Sequence, residues 1–146
     1  MRDYGHRFAR WVVALLVIMP LGAAAQQSER FGDYEVHYSA MPTGMLNAEV
    51  AQEYGIVRSR TRGMVMVTML RNGTAVSASV DIVARDKNDE LSEIPAARVR
   101  DDGWISYVGT FPIEAGDALT FEIEANPYEG GEAYSVAFRQ TFYPGE

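Results

Sequence analysis

Apolar and polar residues alternate with a period of two along most of this chain, which is the pattern of half-buried strands rather than of helices. The clearest case is the stretch from Arg62 to Arg85, RGMVMVTMLRNGTAVSASVDIVAR, in which two apolar-rich runs flank Asn72-Gly73. Met64 to Leu70 carries almost no polar atoms and predicts a strand covered on both faces, so that Met64, Met66 and Met69 read as packing rather than as a copper or cofactor site. Beyond the turn, Val76, Ala78, Val80 and Ile82 fall on one face, and Ser77, Ser79 and Asp81 on the other. Asn and Gly both tolerate positive φ, so the dipeptide predicts a tight hairpin. In an immunoglobulin-like strand order the same residues would instead form a corner between sheets.

The rest of the chain repeats the theme. Phe31 to Ser39 places Tyr34, Val36 and Tyr38 on one face and Asp33, Glu35, His37 and Ser39 on the other. Glu93 to Arg100 predicts a weak strand, interrupted by Pro95 and therefore at an edge. Trp104 to Phe111, the alternating run Leu119, Phe121 and Ile123, and Ala133 to Tyr143 complete the set. Helical signals occur once. Asn47 can cap a short helix ending near Tyr54, Glu49 suits its positive end, and Gly55 supplies a left-handed stop. About seven strands with turns every ~8–12 residues predict an all-β fold, an immunoglobulin- or fibronectin-like antiparallel β-sandwich with one short helix. A small barrel is the alternative.

The N-terminus breaks the pattern. Arg2, Arg7 and Arg10 precede an uncharged apolar run, Trp11 to Leu21, and then Ala23-Ala24-Ala25. This is the grammar of a secretory signal peptide over residues 1–25, with cleavage before Gln26. The run is short of the ~20 apolar residues of a spanning helix, so no stable membrane insertion is expected after cleavage. No cysteine follows it, which excludes a bacterial lipid anchor. Residues 26–146 then form a single domain of 121 residues.

Charge and composition narrow the function. Without the leader, 19 acidic residues face 10 basic ones, a net charge of −9. Such a surface repels nucleic acid and anionic lipid. The chain has no cysteine, and His37 is its one histidine beyond the leader. These two scarcities remove most nucleophilic and metal-binding constellations. No serine sits in a G-x-S-x-G elbow, and His37 reads as a strand histidine on a polar face. Asp86, Asn88, Asp89 and Glu90 carry oxygen ligands, but the glycine and distal glutamate of a calcium loop are missing, so they read as a solvated loop. Glu122 and Glu124 project from one side of one strand and do not face each other across a cleft, as a glycosidase pair must. No catalytic residue, cofactor or metal ligand is assigned.

Two polar features stand out as candidate partner- or ligand-binding positions. Arg58, Arg60 and Arg62 alternate, so in an extended segment they project together and can hold an anionic group; the competing expectation is that they pair with the chain's own Glu122 and Glu124. Tyr34 and Tyr38, with Tyr54, Trp104, Tyr107 and Tyr143, can rim a groove or fill a core.

Four stretches, FGDYEVHYSA, EVAQEYGIVRSRTRG, YVGTF and FRQTFY, resemble domain-of-unknown-function family 4426, a family of small exported proteobacterial proteins. The resemblance covers nearly all of the chain beyond the leader. It implies a periplasmic immunoglobulin-like sandwich and brings no catalytic residue. Where the family pattern reads YYIGTF, this chain has Ser106-Tyr107-Val108 before Gly109, so a role for two adjacent tyrosines does not carry over. The expectation is a non-enzymatic binding or accessory module acting on another periplasmic or envelope protein. The alternative is a small-ligand or carbohydrate binder with an aromatic, arginine-lined groove.

Overall fold

Two antiparallel sheets stack face to face, and the strands that build them alternate between the sheets along the chain. The computed structural model describes residues 27–128 and 131–143; the expected signal peptide, residues 1–25, lies outside them. In chain order the elements are β1 (Gln27–Phe31), β2 (Tyr34–Pro42), a 3-10 turn (Thr43–Met45), α1 (Ala48–Glu53), β3 (Arg62–Arg71), β4 (Thr74–Ala75), β5 (Ala78–Arg85), β6 (Leu91–Glu93), β7 (Ala97–Asp101), β8 (Trp104–Pro112), β9 (Ala118–Pro127) and β10 (Tyr134–Thr141). The first sheet runs β1-β2-β3-β8-β7, with β4 also paired to β3; the second runs β10-β9-β5-β6. The fold is an all-β antiparallel sandwich with a single short helix among the described residues.

Ten strands replace the expected seven for local reasons. Phe31 does not begin the first strand. Gly32, at φ 61°, turns the chain there, and Gln27–Phe31 pairs back on β2 as an edge strand. The expected strand from Glu93 to Arg100 is two strands in different sheets. β6 pairs with β5 and β7 with β8, and Pro95, which cannot donate to a ladder, sits at the crossing between them. Asn72-Gly73 satisfies both of its alternatives. Its φ values of 49° and 81° make a tight turn joining β3 to the two residues of β4, after which the chain leaves for the second sheet at β5.

The inner faces interdigitate as the alternation predicts. Val36, Tyr38, Val65, Val67, Met69 and Tyr107 of the first sheet meet Ile82, Phe121, Ile123, Val136 and Phe138 of the second. Tyr38 packs on Phe138 with ring centroids 4.8 Å apart, and Phe121 stacks on Phe138 at 5.0 Å. Burial of these rings together with the aliphatic side chains around them drives the two sheets together.

Burial on both faces of β3 has a specific cause. Val65, Val67 and Met69 point into the sandwich, whereas Met64 and Met66 point outward beneath α1. The helix forms where expected, with the Asn47 side chain accepting from the Glu49 N–H at 2.8 Å and Gly55 at φ 66° just past its end. Leu46, Ala51, Val50 and Tyr54 close a second, smaller core over Met64 and Val108. The helix covers only one end of this outer face. The other end stays open.

Candidate functional site

The uncovered end of the first sheet's outer face is a cavity of about 320 Å³. Pairing across four strands assembles its floor. His37 of β2 stands opposite Thr68 of β3, and Ser106 of β8 stands opposite Val99 of β7. Thr68 and Ser106 are buried, and their hydroxyls share a hydrogen bond of 2.7 Å. Met66, Leu70 and Val99 complete the floor. The walls are aromatic. Tyr54 enters from the C-terminal end of α1, and Trp104, 54% exposed, stands at the start of β8. Asp101, which also lines the cavity, lies opposite Trp104 in the β7–β8 hairpin.

The electrostatics of the site follow from these placements. Burial pushes the Tyr54 phenol above its ordinary value, and the carboxylates of Asp101 and Glu53 push the same way. His37 Nε2 lies 3.1 Å from Glu35 Oε1, and Arg30 Nη2 reaches the other oxygen of Glu35 at 3.6 Å. The imidazole contact is close in distance but off the direction a hydrogen bond needs, so Nε2 is a buried nitrogen without a hydrogen-bond partner. Among the described residues no hydrogen bond joins His37 to Thr68 or Ser106. The two hydroxyls bind each other, and the nucleophile–base contact of acyl-transfer chemistry is not made.

The anticipated positions are dispersed. Tyr34 and Tyr38 face the interior. Tyr38 is 6% exposed, and Tyr34 packs on Tyr134 at 5.5 Å beneath the Arg71 guanidinium. Burial raises the Tyr38 phenol above its usual value, with Glu29 adding to it.

The arginines do not form a comb, because residues 56–60 are an irregular loop rather than a strand. Buried Thr43 pins that loop. Its Oγ1 donates to the Ser59 carbonyl at 3.2 Å and accepts from the Ser59 N–H at 2.9 Å. Arg58 donates to the Gly44 carbonyl and Arg62 to Thr110 Oγ1, at 3.2 and 3.0 Å. Neither pairs with Glu122 or Glu124, which project from the second sheet; Glu122 meets Arg85 at 3.7 Å instead. Arg62 begins β3, about 20 Å from Thr68 at strand rise, so the arginines stand away from the cavity. The shallow groove beside Arg62 also contains Glu114 and Asp117, so its charge does not favour an anion.

Sequence reasoning named Tyr54 and Trp104 only within a general aromatic set, and missed Thr68, Ser106 and Asp101. A signal existed for the hydroxyls. Thr68 is the one polar residue in MVMVTML, and Ser106 is the one in WISYV. In the acidic loop, the Asp86 carboxylate accepts from the N–H groups of Asn88 and Glu90, so it caps a turn.

Comparison with known proteins bears on the fold and the family. The family described as "Domain of unknown function (DUF4426)" matches residues 28–145. The crystal structure of a DUF4426 family protein from Pseudomonas aeruginosa is similar with a TM-score of 0.74 and 31% identity, covering 83% of this chain and 97% of that one. A copper-bound variant of FetP from uropathogenic Escherichia coli strain F11 matches with a TM-score of 0.60 at 8% identity, covering 84% of this chain and 97% of that one. FetP of the same strain as isolated, expressed recombinantly in the periplasm of E. coli, matches at 0.57 and 7%, covering 84% and 96%. At such identities the FetP likeness is one of fold alone. No curated protein matches the chain.

Proposed function

From the premise that this chain belongs to the DUF4426 family, matched over residues 28–145, we propose that it is a non-enzymatic recognition module of the bacterial periplasm. Its half-covered outer sheet face would bind another envelope protein. The observation that carries this reading is the cavity between Tyr54 and Trp104, a concave surface with an exposed indole at its rim and floor hydroxyls already bonded to each other. Binding hot spots are enriched in Trp and Tyr. Export rests on the leader grammar of residues 1–25. Copper is a ligand of the FetP variant; in this chain, among the described residues, no three His, Asp or Glu side chains are grouped to hold a metal ion, and the reading takes none.

The cavity's volume also falls in the range of ~300–1,000 Å³ typical of small-ligand sites, which favours a small ligand as the second reading. A photo-crosslinking side chain placed at Asp102, exposed in the β7–β8 turn beside Trp104, and as a control at Ser135 on the outer face of the second sheet, separates the two in the native periplasm. The proposal expects one discrete protein adduct from position 102, absent from position 135 and lost when Trp104→Ala is added. The same adducts from both positions, or none from position 102, would overturn it.

A further inference from the structure

On the reading that this cavity is the recognition surface, we infer that the group it accepts is an arginine side chain presented by the partner protein. Asp101 and Trp104 are direct cross-strand neighbours in the β7–β8 hairpin, which sets a carboxylate beside an exposed indole. Asp101 has no ion-pair partner among the described residues, so its charge is open to a ligand. Tyr54 forms the adjoining wall, near enough to Asp101 and Glu53 for both to act on its phenol. Glu35, which lies beside His37 but does not line the cavity, is met by Arg30 at 3.6 Å. The lining therefore carries one carboxylate, Asp101, and neither lysine nor arginine, on a chain that is itself acidic. An acidic group is repelled there and a cation is drawn in.

The kind of cation follows from the walls. A planar guanidinium can stack on an aromatic face and direct its N–H edge at a carboxylate at the same time, whereas an ammonium is a compact, strongly hydrated point charge that gains less from a ring. Met66, Leu70 and Val99 offer an apolar floor for the methylene stem.

Trp104 is the one tryptophan beyond the leader, so its indole N–H resonance reports on the cavity of the exported protein. The probes are Nα-acetylarginine amide, its neutral isostere Nα-acetylcitrulline amide, Nα-acetyllysine amide and putrescine. The arginine probe is expected to shift that resonance saturably, and the citrulline probe to bind about fivefold more weakly. Asp101→Asn is expected to lower arginine binding by about the same factor without changing the unfolding midpoint. Equal binding of citrulline or lysine, tighter binding of putrescine, indifference to Asp101→Asn, or no saturable shift by about 50 mM would each overturn the inference. The cross-link from position 102, which leaves Trp104 in place, keeps the two ideas apart. If the adduct persists while Asp101→Asn changes nothing, the arginine inference alone fails; if the adduct is missing, both fail.

Discussion

The Tyr107 hydroxyl accepts a hydrogen bond of 2.8 Å from the backbone N–H of Ala78, joining the first sheet to the second inside the core. Ala78 is the first residue of β5, where the chain has just crossed over from β4, and its N–H has no strand partner at that point. The phenol meets a buried donor that would otherwise be orphaned. Tyr107→Phe keeps the packing and removes only the oxygen. A loss of about 1–3 kcal/mol is expected in urea unfolding with an unchanged slope, because a buried N–H is left unsatisfied. A loss below about 0.5 kcal/mol would mean that the N–H finds another acceptor.

Gly109 marks the other crossing. A Cβ there would lie 2.5 Å from Ile94 Cγ2 and 2.9 Å from the Pro95 carbonyl oxygen, because the link from β6 to β7 passes directly over it. Backbone cannot yield as a flexible side chain can, so Gly109→Ala is expected to cost about 2–3 kcal/mol by overpacking. Gly116→Ala is a useful contrast. It meets nothing within 4 Å but has φ 85°, so it should cost about 1–2 kcal/mol through backbone conformation alone. Thermal unfolding of the two variants side by side checks the order.

These two positions also explain how far the sequence carried. Period-two alternation placed Tyr34, Val36 and Tyr38, and later Phe121 and Ile123, on the correct faces because each strand carries its own record of inside and outside. The helix was legible from Asn47 and Gly55 for the same local reason. Sheet membership was not. Pro95 showed that a strand was interrupted but not that its halves belong to different sheets, which is fixed by contacts such as Gly109 against Ile94. The comb geometry expected of the arginines is absent for a similar reason. The alternation of Arg58, Arg60 and Arg62 has meaning only if the backbone is extended, and Thr43, distant in sequence, holds Ser59 in a loop. The cavity was hidden because pairing of β2, β3, β8 and β7 is what brings His37, Thr68, Ser106 and Asp101 to one face.

Alkaline pH should weaken the fold through two tyrosines. Tyr38 and Tyr54 both have phenols raised above the ordinary value of 10.0, chiefly by burial. A group raised in the folded state leaves stability intact below its unfolded value, and the contribution is lost as pH rises from about 10 through the folded value, where the unfolded chain sheds the proton more readily. Stability measured in urea is therefore expected to be level between about pH 7 and 9 and to fall beyond about 10. Tyr38→Phe and Tyr54→Phe should each flatten that decline. A decline equally steep in both variants would assign it to other groups.

The Thr68–Ser106 pair makes the sharpest demand on the cavity floor. Both hydroxyls are buried, and at 2.7 Å each is the other's partner. Removing one leaves the other unsatisfied, whereas removing both replaces a polar pair by apolar contact. Thr68→Val and Ser106→Ala are each expected to destabilise by about 1–2 kcal/mol, and the double variant by clearly less than their sum, a coupling of about 1 kcal/mol or more. Strict additivity in the double-mutant cycle would show that each hydroxyl is satisfied by a partner other than its neighbour. Coupling would mean that recognition in this cavity falls to its rim, where Tyr54, Asp101 and Trp104 stand.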